Sequence, residues 1–409
     1  MNRINCLNKC YNVFFIALFL CSGVIPIFRN KILEAFLVWI GIFFLIFSIG
    51  ISLKEDTKKI GKSLYCVLLI FALVWSFRAI FLDSSEHFSG TPLLTIFGSL
   101  EFGIFTYLLP LAFLFSEKNI ISILYKRLSF VIVISFILFL INYSSIVAGK
   151  YLSFLSFSIC SILFIPFLLY IRKRYLQYCL MFFLFSIICF LLIGERAILI
   201  YFSLSLLGFF GVKMHFLNIA WSLILLAGIS VSLAILIYSL YYGVSIFEIL
   251  QDLYFDTNDM AQDTRSFIFY ELSEDLTRNH EWIYGKGMLG VCYSPFFDSS
   301  TNPNADSAYR IGLEVGFLQY LLKGGLLYLS LIMLTFLGAI YNAFFKSKSK
   351  FIKTIGVLLF VNFVILCISY TPSFNMWYFH TWIMIGMCYS NKFLKLSDNE
   401  IKTIINSVH

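Results

Sequence analysis

The sequence predicts an all-α polytopic membrane protein of about twelve transmembrane helices, with one long extracytoplasmic loop between spans 9 and 10. Three observations predict it. Of 409 residues, 60% are hydrophobic and 13% are charged, against about 25% charged in an ordinary soluble domain, which excludes a soluble globule. The apolar runs are unbroken over helical lengths, whereas the strands of a membrane barrel alternate apolar and polar residues. The Lys and Arg residues fall on alternating sides of those runs, as they do when cytoplasmic connections hold the basic excess.

Taken in order, charged punctuation divides the apolar runs into spans near 11–28, 32–53, 64–82, 93–115, 129–147, 151–171, 176–193, 197–212, 216–240, 312–345, 352–371 and 375–393. The first follows a short basic tail and lacks a small-residue cleavage site, so it reads as a retained span and not as a signal peptide. With the N-terminus inside, the cytoplasmic turns collect Lys54, Lys58, Lys59, Lys62, Lys118, Lys126, Arg127, Arg172, Lys173, Arg174, Lys213, Lys346, Lys348, Lys350, Lys353, Lys392, Lys395 and Lys402. The short external turns hold Arg29, Lys31, Lys150 and Arg196. One missed span would scramble this asymmetry, so both termini are expected in the cytoplasm. The net charge of +8 is therefore topological; a nucleic-acid partner would need the basic residues gathered on one face, and none is expected.

Three regions follow: 1–240 with helices 1–9, an extracytoplasmic loop at 241–311, and 312–409 with helices 10–12 and a cytoplasmic tail. Over 241–308, Glu248, Asp252, Asp256, Asp259, Asp263, Glu271, Glu274, Asp275, Glu281, Asp298 and Asp306 make the loop acidic against Arg265, Arg278 and Lys286. Ile246, Ile249, Leu250, Leu253 and then Phe267, Tyr270, Leu272 are spaced for two amphipathic helices. Beyond them, GKG at 285–287 and SSTNPNADS at 299–307 read as irregular loop. A loop this long is usually functional when it is ordered. The ten cysteines show neither a CxxC pair nor metal spacing; seven lie in apolar runs and read as small apolar filler.

Few residues are placed to carry chemistry. Glu195 and Arg196 sit in an external turn, where Arg196 serves either as an ordinary surface residue or as a paired hydrogen-bond donor to a phosphate. Arg265 either pairs with Asp263 or Asp259 or binds substrate. Arg310 stands where the loop returns to the membrane, four residues before Glu314; helical spacing places the two on one face, as a structural pair or as a site. Arg78 and Glu101, on consecutive spans, could pair, or Arg78 could snorkel to the interface. His280 is the one histidine in the long loop, a surface residue or a base.

An external hairpin arginine, a long external loop with further arginines and a loop exit running into a Gly-terminated helix resemble the O-antigen polymerase and O-antigen ligase superfamily of bacterial glycan assembly. The likeness is carried by GERAILI at 194–200, WIYGKG at 282–287 and EVGFLQYLLKGG at 314–325, and covers about the second half of the chain. The last stretch is similar to the family's His-Asn-x-x-Leu-Gln run ending in Gly, with Glu314 where the ligases place histidine. That departure favours a polymerase over a ligase.

The resemblance implies glycosyl transfer from a polyprenyl-diphosphate-linked oligosaccharide to a sugar hydroxyl at the outer face of the bacterial cytoplasmic (inner) membrane. A chain-length regulator protein is a further partner it implies. Arg196, Arg265 and Arg310 would stabilise the departing diphosphate, with no metal or other cofactor. Glu314 is the first candidate base, its pKa raised by partial burial, and His280 the second. A ligase that moves finished glycan to a lipid acceptor is one alternative. The other is a polysaccharide flippase or transporter, which would concentrate polar groups at mid-membrane and show repeated halves.

Overall fold

The computed structural model describes residues 59–81, 120–147, 158–171, 173–193, 196–214, 266–294, 308–368 and 375–406, with isolated positions in 9–20, 36–43, 230–242 and 372–373. Its helices are α1 (Lys59–Phe81), α2 (Ile120–Val147), α3 (Lys173–Ile193), α4 (Arg196–Lys213), α5 (Ser266–Arg278), α6 (Gly316–Tyr341), α7 (Lys350–Ile368), α8 (Met376–Tyr389), α9 (Asn391–Leu394) and α10 (Asp398–Asn406). A π turn, Asn342–Lys346, extends α6, and a 3-10 helix, Ile162–Leu169, precedes α3. Two-residue strands β1 (Cys292–Tyr293) and β2 (Tyr309–Arg310) pair antiparallel, with Cys292 opposite Arg310.

Among the described residues, three helical segments are long and apolar enough to cross a bilayer: Ile120–Ile137, Gly316–Lys346 and Lys350–Ile368. The surface agrees with a lipid environment. Phe77, Phe136, Leu184, Leu207, Leu334 and Phe345 lie exposed, while Gln319, Lys323, Asn362 and His380 are buried, the reverse of a soluble protein's distribution. Expected spans 3, 7, 8, 10, 11 and 12 overlap α1, α3, α4, α6, α7 and α8; span 5 overlaps α2, but that helix already begins at Ile120, so Lys126 and Arg127, expected in a turn, lie inside it. Span 4 and the charge Glu101 lie outside the described residues, as do most of spans 1, 2 and 9. Span 6 differs from expectation. Over Ile162–Leu169 the chain tightens to 3-10 geometry around Pro166, because proline cannot donate the i→i−4 hydrogen bond of an α-helix.

Helix α7 is central. Small residues bring its neighbours close: a Cβ at Gly208 of α4 would overlap Val357 of α7, and one at Gly356 of α7 would stand 2.7 Å from the Ala343 Cβ. Close approach through small residues is how helices associate where no water drives them together.

Three of the connections that the sequence assigns to the basic side, those near 170, 346–350 and 394–398, meet at one end of the bundle. Asp398 Oδ1 accepts from the Tyr170 hydroxyl at 2.6 Å and from the Lys350 amide at 2.8 Å, while the Lys348 amide donates to Leu394 O at 3.0 Å. Ser397 and Glu400 form a capping box that starts α10, with the Ser397 amide 2.8 Å from Glu400 Oε2. Helix α10 then buries Ile401 and Ile405. From this end α6 leads back to the opposite one, where α5, β1, β2 and the 279–291 turns form a cap.

Candidate functional site

The cap is built around helix α5. Its buried stripe is Ile268, Phe269, Leu272 and Leu276, so the amphipathic helix expected here forms with Leu272 inside, while Tyr270 is exposed and the side chain of Phe267 lies outside the described residues. Glu271 and Asp275 lie on that buried side, 7% and 8% exposed. Each holds a cation. Glu271 Oε2 is 3.5 Å from Arg310 Nε, and Ser294 Oγ joins the pair by donating to Glu271 Oε1 at 2.7 Å and accepting from Arg310 Nε at 3.3 Å. Asp275 Oδ2 is 2.6 Å from Lys286 Nζ and accepts from the Tyr293 amide, while Oδ1 accepts from Asn279 Nδ2 at 2.8 Å. Burial lowers the pKa of Arg310 from its ordinary value, and the negative charges of Glu271 and Glu314 oppose that shift.

The loop glycine motif and the loop-exit motif meet here backbone to backbone. The amides of Lys286 and Gly287 donate to Leu322 O and Lys323 O at 2.7 and 3.0 Å. In return the amides of Leu326 and Leu327 donate to Trp282 O and Ile283 O at 2.8 and 3.2 Å. This exchange is possible because α6 breaks at Gly325, whose φ of 64° and ψ of −166° are not helical. The break frees carbonyls before it and amides after it, and the 282–287 turn satisfies both sets. Helix α1 locks the same turn, since Arg78 Nη1 donates to Gly285 O and Trp75 Nε1 to Tyr284 O, each at 3.0 Å. The partner of Arg78 found here is thus the loop backbone.

Beneath the turn, Lys323 is fully buried, its ammonium donating to Gly290 O at 2.5 Å and to Ile311 O at 3.2 Å. Gly290 precedes β1 and Ile311 follows β2, so one cation fastens the base of the hairpin that carries Ser294 and Arg310.

The predicted site residues divide as follows. Arg310 and Glu314 do not share a helix face: Arg310 is in β2, residues 311–315 are irregular, and α6 begins only at Gly316. Glu314 is exposed, so the expected partial burial is not found, though its charge reaches Arg310. Arg196 opens α4; its side chain lies outside the described residues, and so do Glu195 and Arg265.

His280 is exposed with a φ of 57°. Its amide donates to Thr277 O, and the Glu281 amide to Leu276 O at 2.9 Å, the pairing that ends a helix through one left-handed residue. Glycine fits that position without the penalty of roughly 1–2 kcal/mol that a Cβ brings. His280→Gly is therefore expected to leave the cap intact or more stable, as thermal unfolding would measure, while deleting the imidazole. Normal turnover in that variant removes His280 as a base.

Sequence reasoning did not single out Lys323, Ser294 or the pairing role of Glu271. A charge in YLLKGG and carboxylates at 271 and 275, one turn apart on a helix, were the available signals.

Cys292 is buried, and burial, assisted by Asp275 and Glu271, pushes its thiol from 9.0 up to about 12. A maleimide is expected to label Cys292 only as fast as the cap opens. An opened cap exposes a thiol that ionises near 9.0, so closure is fully favoured below that pH and weakens as the pH rises towards about 12. Labelling that follows the behaviour of a free thiol at pH 7 would contradict the closed cap.

Comparison with protein-family models, with curated proteins and with solved structures returns no match for this chain.

Proposed function

We propose that this protein is a polymerase that joins polyprenyl-diphosphate-linked oligosaccharide repeat units into a surface polysaccharide at the outer face of the cytoplasmic membrane. The reading takes the chain as about twelve spans, with both termini cytoplasmic and the cap outside. One observation carries it: two of the three stretches that bear the family likeness, 282–287 and 314–325, are stitched together in one cap that also holds Arg310. That cap closes the end of the bundle opposite the basic turns, which is the side the charge asymmetry assigns to the exterior.

In the proposed step the acceptor sugar hydroxyl gives its proton to a base and its oxygen bonds to the anomeric carbon of the donor. The bond from that carbon to the diphosphate oxygen breaks, and the lipid diphosphate leaves with the electron pair. Arg196, Arg265 and Arg310 are the cations assigned to the developing charge, and Glu314 is the first candidate base. Its exposure leaves it open to an acceptor.

The deletion strain tests the reading. A polymerase defect leaves glycans capped with a single repeat unit. Long lipid-linked polymer with uncapped acceptor would identify a ligase instead, and repeat units trapped in the cytoplasm a flippase. Arg196→Ala and Arg265→Ala proteins at normal levels are expected to lose chain extension by about 10²-fold or more, the scale of a lost transition-state donor. Wild-type chain lengths in both would overturn the diphosphate clamp, and normal turnover of Glu314→Gln would remove that base.

A further inference from the structure

A groove of about 580 Å³ opens on the outer surface of the bundle between α2, the 3-10 helix and α3. Its volume is that of a small-molecule site, and its walls are apolar, with Tyr125, Phe136, Phe164, Tyr175, Tyr178 and Met181 among them. The 3-10 helix contributes one wall. It lines the groove through Phe164, whose ring is 5.7 Å from that of Tyr125. Tyr175, Tyr178 and Met181 are 60%, 58% and 66% exposed, so the groove faces the surroundings of the bundle and not its interior.

Position and charge specify what would fill it. From Tyr125 to Phe136 along α2 is roughly 16 Å at the helical rise, close to one leaflet of a hydrocarbon core about 30 Å thick. The tyrosine end lies at the basic end of the bundle: Tyr170, at the end of the 3-10 helix, is bonded to Asp398 there. Around that mouth the sequence places Lys126 on α2, which is exposed, and Arg172, Lys173 and Arg174 where α3 begins. Of the described acids at that end, Asp398 is engaged by Tyr170 and the Lys350 amide and Glu400 by Ser397, and Arg127 is engaged by Asn12 at 2.6 Å. The mouth is therefore bordered by the exposed Lys126 and by a stretch of sequence, 172–174, that is basic throughout, while the rim is aromatic and the interior apolar.

We propose that this groove is a binding site for an anionic glycerophospholipid of the leaflet at the basic end, with an acyl chain between α2 and α3 and the phosphate at the mouth beside Lys126. The site is separate from the cap at the other end and does not depend on the polymerase reading.

The full-length protein in phosphatidylethanolamine vesicles doped with a photoactivatable phosphatidylglycerol provides the test, with photoactivatable phosphatidylcholine as control. Labelling is expected at 125–136 and 175–182, several-fold stronger with the anionic probe. Lys126→Gln is expected to lower it by about fivefold, the worth of one basic residue at an anionic surface. Met181→Trp, which fills the groove with a lipid-facing side chain, should lower labelling by both probes. Equal labelling by both lipids would overturn the proposal, leaving only indifferent acyl contact. So would cross-links from the groove to a second copy of the chain, or to its own residues 93–115. Bound-lipid counts by native mass spectrometry give a readout independent of the photochemistry and of glycan synthesis.

Discussion

Gly285→Ala and Gly325→Ala are each expected to open the cap, at a cost above about 4 kcal/mol. Both residues hold φ near 64°, which already costs an L residue roughly 1–2 kcal/mol. The larger part is steric. A Cβ on Gly285 would stand 2.7 Å from the Gly324 amide nitrogen and 2.8 Å from Leu322 O, and it would overlap the Gly325 nitrogen. A Cβ on Gly325 would overlap the Ile283 carbonyl and stand 2.6 Å from the Gly285 nitrogen. All of these neighbours are backbone, so no rotamer change relieves the overlap. Separating the two strands of chain would break the reciprocal hydrogen bonds across the helix break and leave buried carbonyls and amides without partners. Maleimide labelling of Cys292 reads the outcome. Rapid labelling at pH 7 is expected in both variants, with α7 and α8 still folded by hydrogen exchange. Slow labelling like that of the parent would show that the glycines are dispensable.

Much of the fold was legible because hydropathy and charge report it locally. Ends of α3, α4, α7 and α8 fall within a few residues of their expected spans, and the amphipathic pattern at 266–278 locates α5. What escaped has identifiable causes. The apolar run through 316–346 is continuous in hydropathy, so nothing but Gly324 and Gly325 hinted that the helix is interrupted, and glycines are common in membrane helices anyway. Arg78 lies 207 residues before its acceptor Gly285; sequence proximity suggested Glu101 instead. Spacing of four between Arg310 and Glu314 reads as one helix face, yet strand pairing with Cys292 claims Arg310 before the helix begins. The 3-10 segment was the exception: Pro166 inside span 6 was a visible warning that α geometry would fail there. Lys323 shows the general limit, since an apolar run with one lysine looks the same whether the ammonium snorkels outward or turns inward to carbonyls 290 and 311.

Arg310→Ala and Glu271→Ala are each expected to destabilise the cap by about 3–5 kcal/mol, because each leaves the other's charge buried without its partner. The two side chains are 10% and 6% exposed, so solvent screening removes little of that cost. Ser294 stands between them, and its hydroxyl loses a donor in one variant and an acceptor in the other. Glu271→Gln with Arg310→Met should therefore cost less than the sum of the two single changes, since no lone charge remains. Arg310→Lys is expected to restore charge but not geometry, because a point ammonium cannot reproduce the Nε contact to both Ser294 and Glu271. Cap opening, followed through Cys292, and chain extension, followed through the glycan profile, then separate two roles for one residue. If the uncharged double variant closes its cap and still extends glycan, Arg310 acts only by holding the hairpin to α5, and stabilisation of the leaving diphosphate falls to Arg196 and Arg265. If the cap closes and extension is lost, the guanidinium itself serves the reaction, and its pairing with Glu271 is what holds it ready at the mouth of α6.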